Sequence, residues 1–246
     1  MTITRLKLIY KTKMSSFDQS RKYRILYKVK KNQIKMMRDR GYDVSEEIGI
    51  LSYSFEEFVE LYKNFAASAG ISFRKALSRE YVKNDNYTTH VYYSEDSQKD
   101  INKSHIVEFF SFVSNTDANS YIYITPTKLN SNSSVAVRQR FNRIQTFMDS
   151  DLIIDPTEHV MTPVHTALTE EESVELLERS GWNANQLPKL LSIDNVVKWY
   201  DFRKGQIVRI DRFNPIEGTM VDNYLIYRIV EDSELGELYE GEEFTI

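Results

Sequence analysis

Residues 168–230 read LTEEESVELLERSGWNANQLPKLLSIDNVVKWYDFRKGQIVRIDRFNPIEGTMVDNYLIYRIV, and their pattern decides the fold of the second half of the chain. Thr169 and Glu172 stand at the T-x-x-E spacing of a capping box, in which two side chains satisfy backbone N–H groups left open at a helix start. Val174, Leu176 and Leu177 supply a buried face, and Gly181 stands where a helix ends in a left-handed turn. Asp194 is placed to cap a second helix through Val196, Val197, Trp199 and Tyr200. Lys204-Gly205 turns the chain into a strand that begins at Ile207 and Val208, and residues 224–230 alternate as its partner. Pro215 and Gly218 suit the loop between the two strands to an irregular turn. No residue in the stretch has the setting of a catalyst, so it reads as a module that holds its shape and binds.

Upstream, Pro156 and Pro163 bracket a short extended piece, which marks a domain boundary. Residues 21–155 alternate helix and strand signals, the pattern of an α/β domain with a partly parallel, mixed sheet. A basic helix is predicted over residues 21–40, with Leu26, Ile34 and Met37 inward and Gly41 at its end. Ser54 and Glu57 form another capping box, followed by Phe58, Leu61, Tyr62 and Phe65 at helical spacing. Strands are predicted over 71–77 and 87–93, joined through Asn84-Asp85-Asn86. Asp100 is expected to cap a helix carrying Ile101, Ile106, Phe109 and Phe110. Residues 121–124 read as a strand, Thr125-Pro126 as a helix start, and 151–155 as a strand. The expected class is therefore α/β, or α+β overall. The division is an extension over 1–20, readable as an added strand or a loose arm, then domains over 21–155 and 156–230 and an acidic tail over 231–246.

Composition narrows the chemistry. The 246 residues carry a net charge of -4 and no cysteine, which removes disulfides, thiolate-held metals and thiol nucleophiles. Thirteen cations among the first forty residues face only Asp18 and Asp39, while seven acids and no base follow Arg228. No apolar run has the length of a signal peptide or a membrane span, so a soluble, intracellular protein without a membrane role is expected. His90, His105, His159 and His165 lack the pairing of a metal site, and phosphate-binding glycine loops and the G-x-S-x-G elbow are missing. Asp149 and Asp151 read as solvated surface, and the D/E-x-K tripeptide of a metal-dependent nuclease strand does not occur. Neither catalytic residues nor metal, cofactor or small-molecule substrate are expected. The many aromatic residues fall mostly at buried positions and read as core.

Several ordered motifs then carry a resemblance. These are Thr157-Glu158-His159 with Pro163 and His165, Leu168-Thr169, Gln186-Leu187-Pro188-Lys189 and Asp194. Arg203-Lys204-Gly205-Gln206-Ile207-Val208 and Tyr227-Arg228-Ile229-Val230 follow at matching spacing. Together they resemble the fifth subunit shared by the eukaryotic nuclear RNA polymerases, whose shorter archaeal counterpart is similar to the second domain alone. Asp39-Arg40-Gly41-Tyr42 and Thr125-Pro126 extend the likeness into the first domain, as in the eukaryotic form. Residues 214–223 depart from that family's loop, and Thr127 and Lys128 replace the Ser-Ala of its T-P-S-A motif. Such divergence suits a large DNA virus of eukaryotes or a divergent protist.

The resemblance implies a subunit without catalytic residues. Its first domain would be a jaw beside downstream double-stranded DNA, with Thr125, Pro126 and Lys128 nearest the phosphates. Its second would be an assembly domain docked on the largest polymerase subunit, with Trp182, Leu187, Pro188 and Arg228 shaping that surface. It implies a nuclear protein in a cell, or one of a cytoplasmic viral factory or virion in a virus. The residues also admit a free-standing nucleic-acid-binding protein that uses the basic helix over 21–40, and, more remotely, a nuclease-like enzyme on the α/β domain.

Overall fold

A computed structural model of the chain describes residues 3–95, 103–140, 143–159, 161–212 and 224–232. The chain divides into two compact units, residues 1–154 and 155–246.

The first unit opens with one long helix, α1 (Ile3–Asp39). Residues 3–20 thus continue the basic helix rather than forming a strand or an arm. Leu26, Val29, Ile34, Met36 and Met37 are buried along it, and Gly41 follows at φ 81°. Helix α2 (Phe55–Ala69) carries the expected Ser54/Glu57 capping box and ends at left-handed Gly70. Its inward face is Phe58, Tyr62 and Ala66, whereas Leu61 and Phe65 are exposed. The apolar spacing alone admitted both pairs; packing chose the face on which Phe58 meets Tyr27 edge-on at 5.2 Å.

The sheet of this unit has the order β1-β2-β3-β4, with β1 (Arg79–Lys83), β2 (Tyr87–Tyr93), β3 (Ser120–Thr125) and β4 (Ile144–Met148). β1 and β2 form an antiparallel hairpin, and β2, β3 and β4 run parallel. The strand predicted over 71–77 lies instead at Arg79–Lys83, because residues 75–77 coil into a 3-10 turn that buries Ala76 and Leu77. Between the parallel strands run α3 (Lys103–Asn115) and α4 (Ser131–Arg140). Asp100 and Ile101 lie outside the described residues. Both helices cover one face, where Ile106, Phe109, Phe110, Val113 and Val137 pack on Tyr92, Tyr121 and Tyr123. Phe109 stacks on Tyr123 at 4.2 Å.

On the other face the turn that follows α1 reaches the sheet through polar contacts: Arg40 donates to Gln145 Oε1 at 2.7 Å, and the hydroxyls of Tyr42 and Thr89 bond at 2.7 Å. Two expectations fail here. Thr125 closes β3, and the next helix begins only at Ser131, where the Asn130 side chain accepts from the Ser133 N–H. Residues 151–155 are not a strand: the strand is Ile144–Met148, and α5 (Asp149–Leu152) follows it directly.

The second unit builds a sheet of order β5-β7-β8-β6 from β5 (Val164–Ala167), β6 (Lys189–Leu191), β7 (Ile207–Arg212) and β8 (Tyr224–Glu231). Its two helices are α6 (Glu170–Ser180), with the Thr169/Glu172 capping box and left-handed Gly181, and α7 (Asn195–Tyr200), capped by Asp194. Alternation along the strands sorts two cores. Val208, Ile210 and Val230 pack with Leu190 and Val197 of α7, while Ile207 packs with Leu176 of α6 and with Leu187. Val174 is exposed, since Leu176 and Leu177 already fill the α6 face toward Ile207. The loop over 214–223 lies outside the described residues.

Candidate functional site

Three parallel strands of the first unit end side by side, and one buried arginine gathers their ends. Arg74 is 3% exposed. Its Nε donates to the Ser94 carbonyl just after β2 at 2.7 Å. Its two Nη groups grip Asp149, immediately after β4, at 2.6 and 2.8 Å. Nη2 also points at the Ile124 carbonyl in β3, 3.5 Å away. The carboxyl end of a parallel sheet is where open α/β folds usually bind ligands; here a fork-shaped cation and its matched carboxylate fill it. Asp149 is buried at 8% exposure, so its reading as solvated surface is corrected: the guanidinium that grips both its oxygens comes from sequence seventy-five residues away.

The same edge positions the three residues expected near DNA. Thr125 is 1% exposed, and its hydroxyl donates inward to the Thr127 carbonyl at 2.8 Å and the Phe147 carbonyl at 3.3 Å. It therefore shapes the turn and presents no hydroxyl to a phosphate. Pro126 is half-buried and Lys128 exposed, on a segment that Leu129 pins to the α3–α4 core.

A second buried polar cluster underlies α1. Lys30 is fully buried, and its Nζ lies within hydrogen-bonding distance of Glu47, Gln33, the Leu77 carbonyl and the Tyr81 hydroxyl, 2.9 Å from Glu47 Oε1. Tyr81 and Tyr62 also donate to Glu47. Burial, opposed by Glu47, pulls the Lys30 ammonium below the ordinary lysine range. Burial and then the Glu47 charge push the phenols of Tyr62 and Tyr81 upward. Each donor and acceptor here is satisfied, so the cluster fixes the register of α1 rather than offering reactive groups.

In the second unit, Trp182, Gln186, Leu187, Pro188, Leu225, Ile226 and Tyr227 line a groove of about 410 Å³. Local sequence builds it. Gly181 turns the chain out of α6, which leaves Trp182 49% exposed, and Asn183 and Gln186 cap a 3-10 turn that delivers Leu187 and Pro188. Leu187 is 4% exposed and forms the floor, while Leu225 on β8 is 52% exposed and forms a wall. Trp182, Leu187 and Pro188 are thus brought together. Arg228 does not line the groove; its Nη1 donates to the Lys189 carbonyl at 3.1 Å and clips β6 to β8. Leu225 and Tyr227 were missed in sequence because a strand's alternation does not say which of its faces remains uncovered.

No group of three or more His, Asp or Glu residues that could hold a metal is found among the described residues. No helix among them is long and apolar enough to cross a membrane.

Comparison with known proteins fits this two-part layout. Residues 19–125 match the family model for RNA polymerase Rpb5, N-terminal domain, and residues 154–230 that for RNA polymerase Rpb5, C-terminal domain. The chain belongs to the Rpb5 family. The two Rpb5 domains together cover about three quarters of the chain. The chain is similar to the DNA-directed RNA polymerases I, II, and III subunit RPABC1 of Caenorhabditis briggsae, 27% identical over 87% of this chain and 98% of that protein. It is 23% identical to DNA-directed RNA polymerase V subunit 5A of Arabidopsis thaliana, over 87% of this chain and 90% of that one. It is also 24% identical to the Dictyostelium discoideum subunit rpabc1, over 83% and 96%. The family is thus that of the RNA polymerase fifth subunit, which the motifs over 157–230 resemble. The Rpb5 match reaches Thr125 in the first domain and all of the groove in the second.

Proposed function

We propose that this chain works as a non-catalytic subunit of a multisubunit DNA-directed RNA polymerase. In this reading its assembly domain, residues 156–230, docks on the largest subunit, and its jaw domain, residues 21–155, lies along downstream duplex DNA during transcription. The observation that carries the reading is that both Rpb5 domains follow in order, with relatives matched over nearly their full length. The groove supports the docking half. An exposed Trp182 and Leu225 around a floor of Leu187, with Pro188 and Tyr227 beside them, is the aromatic and aliphatic makeup of an interface core. Arg228 acts there by holding β6 in register.

Exposed Lys128 supports the DNA half, with Thr125 and Pro126 setting its position rather than touching phosphate. A cation there would fix orientation on the duplex without reading sequence. Nucleotide addition itself belongs to other subunits in this reading. The site of action is the nucleus in a cell, or a cytoplasmic viral factory or virion in a virus.

The test is co-purification. Tagged chain expressed in its own host should bring down the largest polymerase subunit in mild salt, identified by mass spectrometry. Recovery of the chain alone, bound only to nucleic acid, would replace the reading with that of a free-standing nucleic-acid-binding protein.

A further inference from the structure

On the side of α1 turned away from its core, six cations recur at alternating spacings of three and four: Arg21, Arg24, Lys28, Lys31, Lys35 and Arg38. At 3.6 residues per turn this spacing keeps all six within about a quarter of the helix circumference. The buried residues Leu26, Val29, Lys30, Gln33, Met36 and Met37 occupy the opposite arc, and buried Asn32 and Ile34 border the row on either side. With a rise of about 1.5 Å per residue the row is about 25 Å long, and neighbouring cations stand about 5 Å apart along it. Arg21, Arg24, Lys28 and Arg38 are exposed, and Lys31 and Lys35 half-buried. Two are held in place by rings, Arg24 over Phe55 at 4.4 Å and Lys31 over Tyr27 at 4.7 Å. Between Arg21 and Arg38 the helix carries no acid, and Asp39 just beyond the row bonds Arg38 at 3.1 Å.

We propose that this face of α1 is a binding rail for the phosphate backbone of nucleic acid, separate from the Thr125–Lys128 turn. The composition decides between partners. Protein interfaces deplete lysine at their centre and need an apolar core, and no exposed large apolar side chain occurs on α1 between Arg21 and Arg38. A row of cations with rings beneath it and no apolar centre suits a polar, wet, positively charged contact to phosphates. The long buried stripe, and the Lys30–Glu47 cluster under it, keep the rail straight and fixed in orientation. Such a contact is indifferent to base sequence. It also concentrates attraction locally on a chain whose net charge is -4.

The experiment uses the full chain and fluorescence anisotropy with a labelled mixed-sequence duplex of about 20 base pairs, across a salt series. The triple variant Arg21→Gln, Lys28→Gln, Arg38→Gln leaves the ring-supported cations and the core intact. It should bind roughly tenfold or more weakly at low salt, and its log–log salt slope should be shallower by about 0.9 for each phosphate no longer neutralised. Its unfolding midpoint should match that of the parent, which separates weakened binding from unfolding. Arg203→Gln, Lys204→Gln in the second unit is the matched control and should leave affinity and slope unchanged. Equal slopes for parent and triple variant would overturn the proposal. So would tighter binding of the rail to a poly-glutamate peptide than to the duplex, which would make it a surface for an acidic protein. The measurement needs no polymerase, so its outcome is independent of the co-purification test.

Discussion

Arg74 and Asp149 face each other as a buried two-pronged pair, Nη1 to Oδ2 at 2.6 Å and Nη2 to Oδ1 at 2.8 Å, across the ends of the parallel strands. Removing one member leaves the other's charge buried without its partner. Arg74→Met should therefore lower unfolding stability by about 3–5 kcal/mol, and adding Asp149→Asn should recover part of that loss. Urea unfolding of the single and double variants gives the coupling energy; additive losses would mean that the two residues do not act as a pair.

The groove separates two kinds of residue that sequence placed together. Leu187 is packed with Leu176 and Ile207, so Leu187→Ala should destabilise the second unit by about 2–5 kcal/mol. Trp182 is half-exposed, so Trp182→Ala should leave the unfolding midpoint nearly unchanged while weakening capture of the largest polymerase subunit. A large drop in stability for Trp182→Ala would assign the ring to the fold.

Alkaline pH should unfold the first unit before ordinary lysines titrate fully. Burial raises the phenols of Tyr81 and Tyr93 well above the usual tyrosine range, and that of Tyr92 to about 12. These groups stay protonated when folded but release protons near pH 10 when unfolded, so their contribution is complete below pH 10 and is lost above it. Each fully buried phenol gives a slope of about 1.4 kcal/mol per pH unit. Lys30 acts oppositely: its folded value is depressed, so stability rises with pH until the unfolded lysine titrates near 10.5 and then levels off. The midpoint of urea unfolding should not fall as the pH rises to about 10 and should decline above it, where the phenols outweigh Lys30. An unchanged midpoint at pH 11 would contradict the burial of these rings.

Both capping boxes should be measurable. Ser54 and Thr169 each accept from the backbone N–H three residues on, at 3.3 and 3.2 Å. Ser54→Ala and Thr169→Ala should each lower stability by about 1 kcal/mol, and Thr169→Ser should cost little. Loss of no more than a tenth of that would mean water replaces the cap at no penalty.

Much of this architecture is local and was therefore legible in the chain. The caps at Ser54, Thr169 and Asp194, the left-handed glycines 41, 70 and 181, and the Asn84–Asn86 turn each depend on neighbours within a few residues. The alternation of helix and strand signals suggested only partly parallel pairing, and the order and spacing of motifs along residues 157–230 led to the Rpb5 family. The faces of the helices were only half legible. Periodicity placed Leu61 with Phe58 and Val174 with Leu176, but the partner element decides which of two adjacent arcs is covered.

Placement of charge was the least legible. Lys30 and Glu47, or Arg74 and Asp149, look like surface residues in sequence, because a charge survives burial only when a fixed partner compensates its lost hydration. Those partners come from segments far apart in the chain. Thr125 shows the same limit: nothing in its motif told that the folded sheet turns its hydroxyl inward. Sequence by itself determined the capped helices, the last two strands and the family, since those rest on short-range stereochemistry and pattern. Tertiary structure decided which side chains remain available to a partner, because availability depends on what the rest of the fold has already covered.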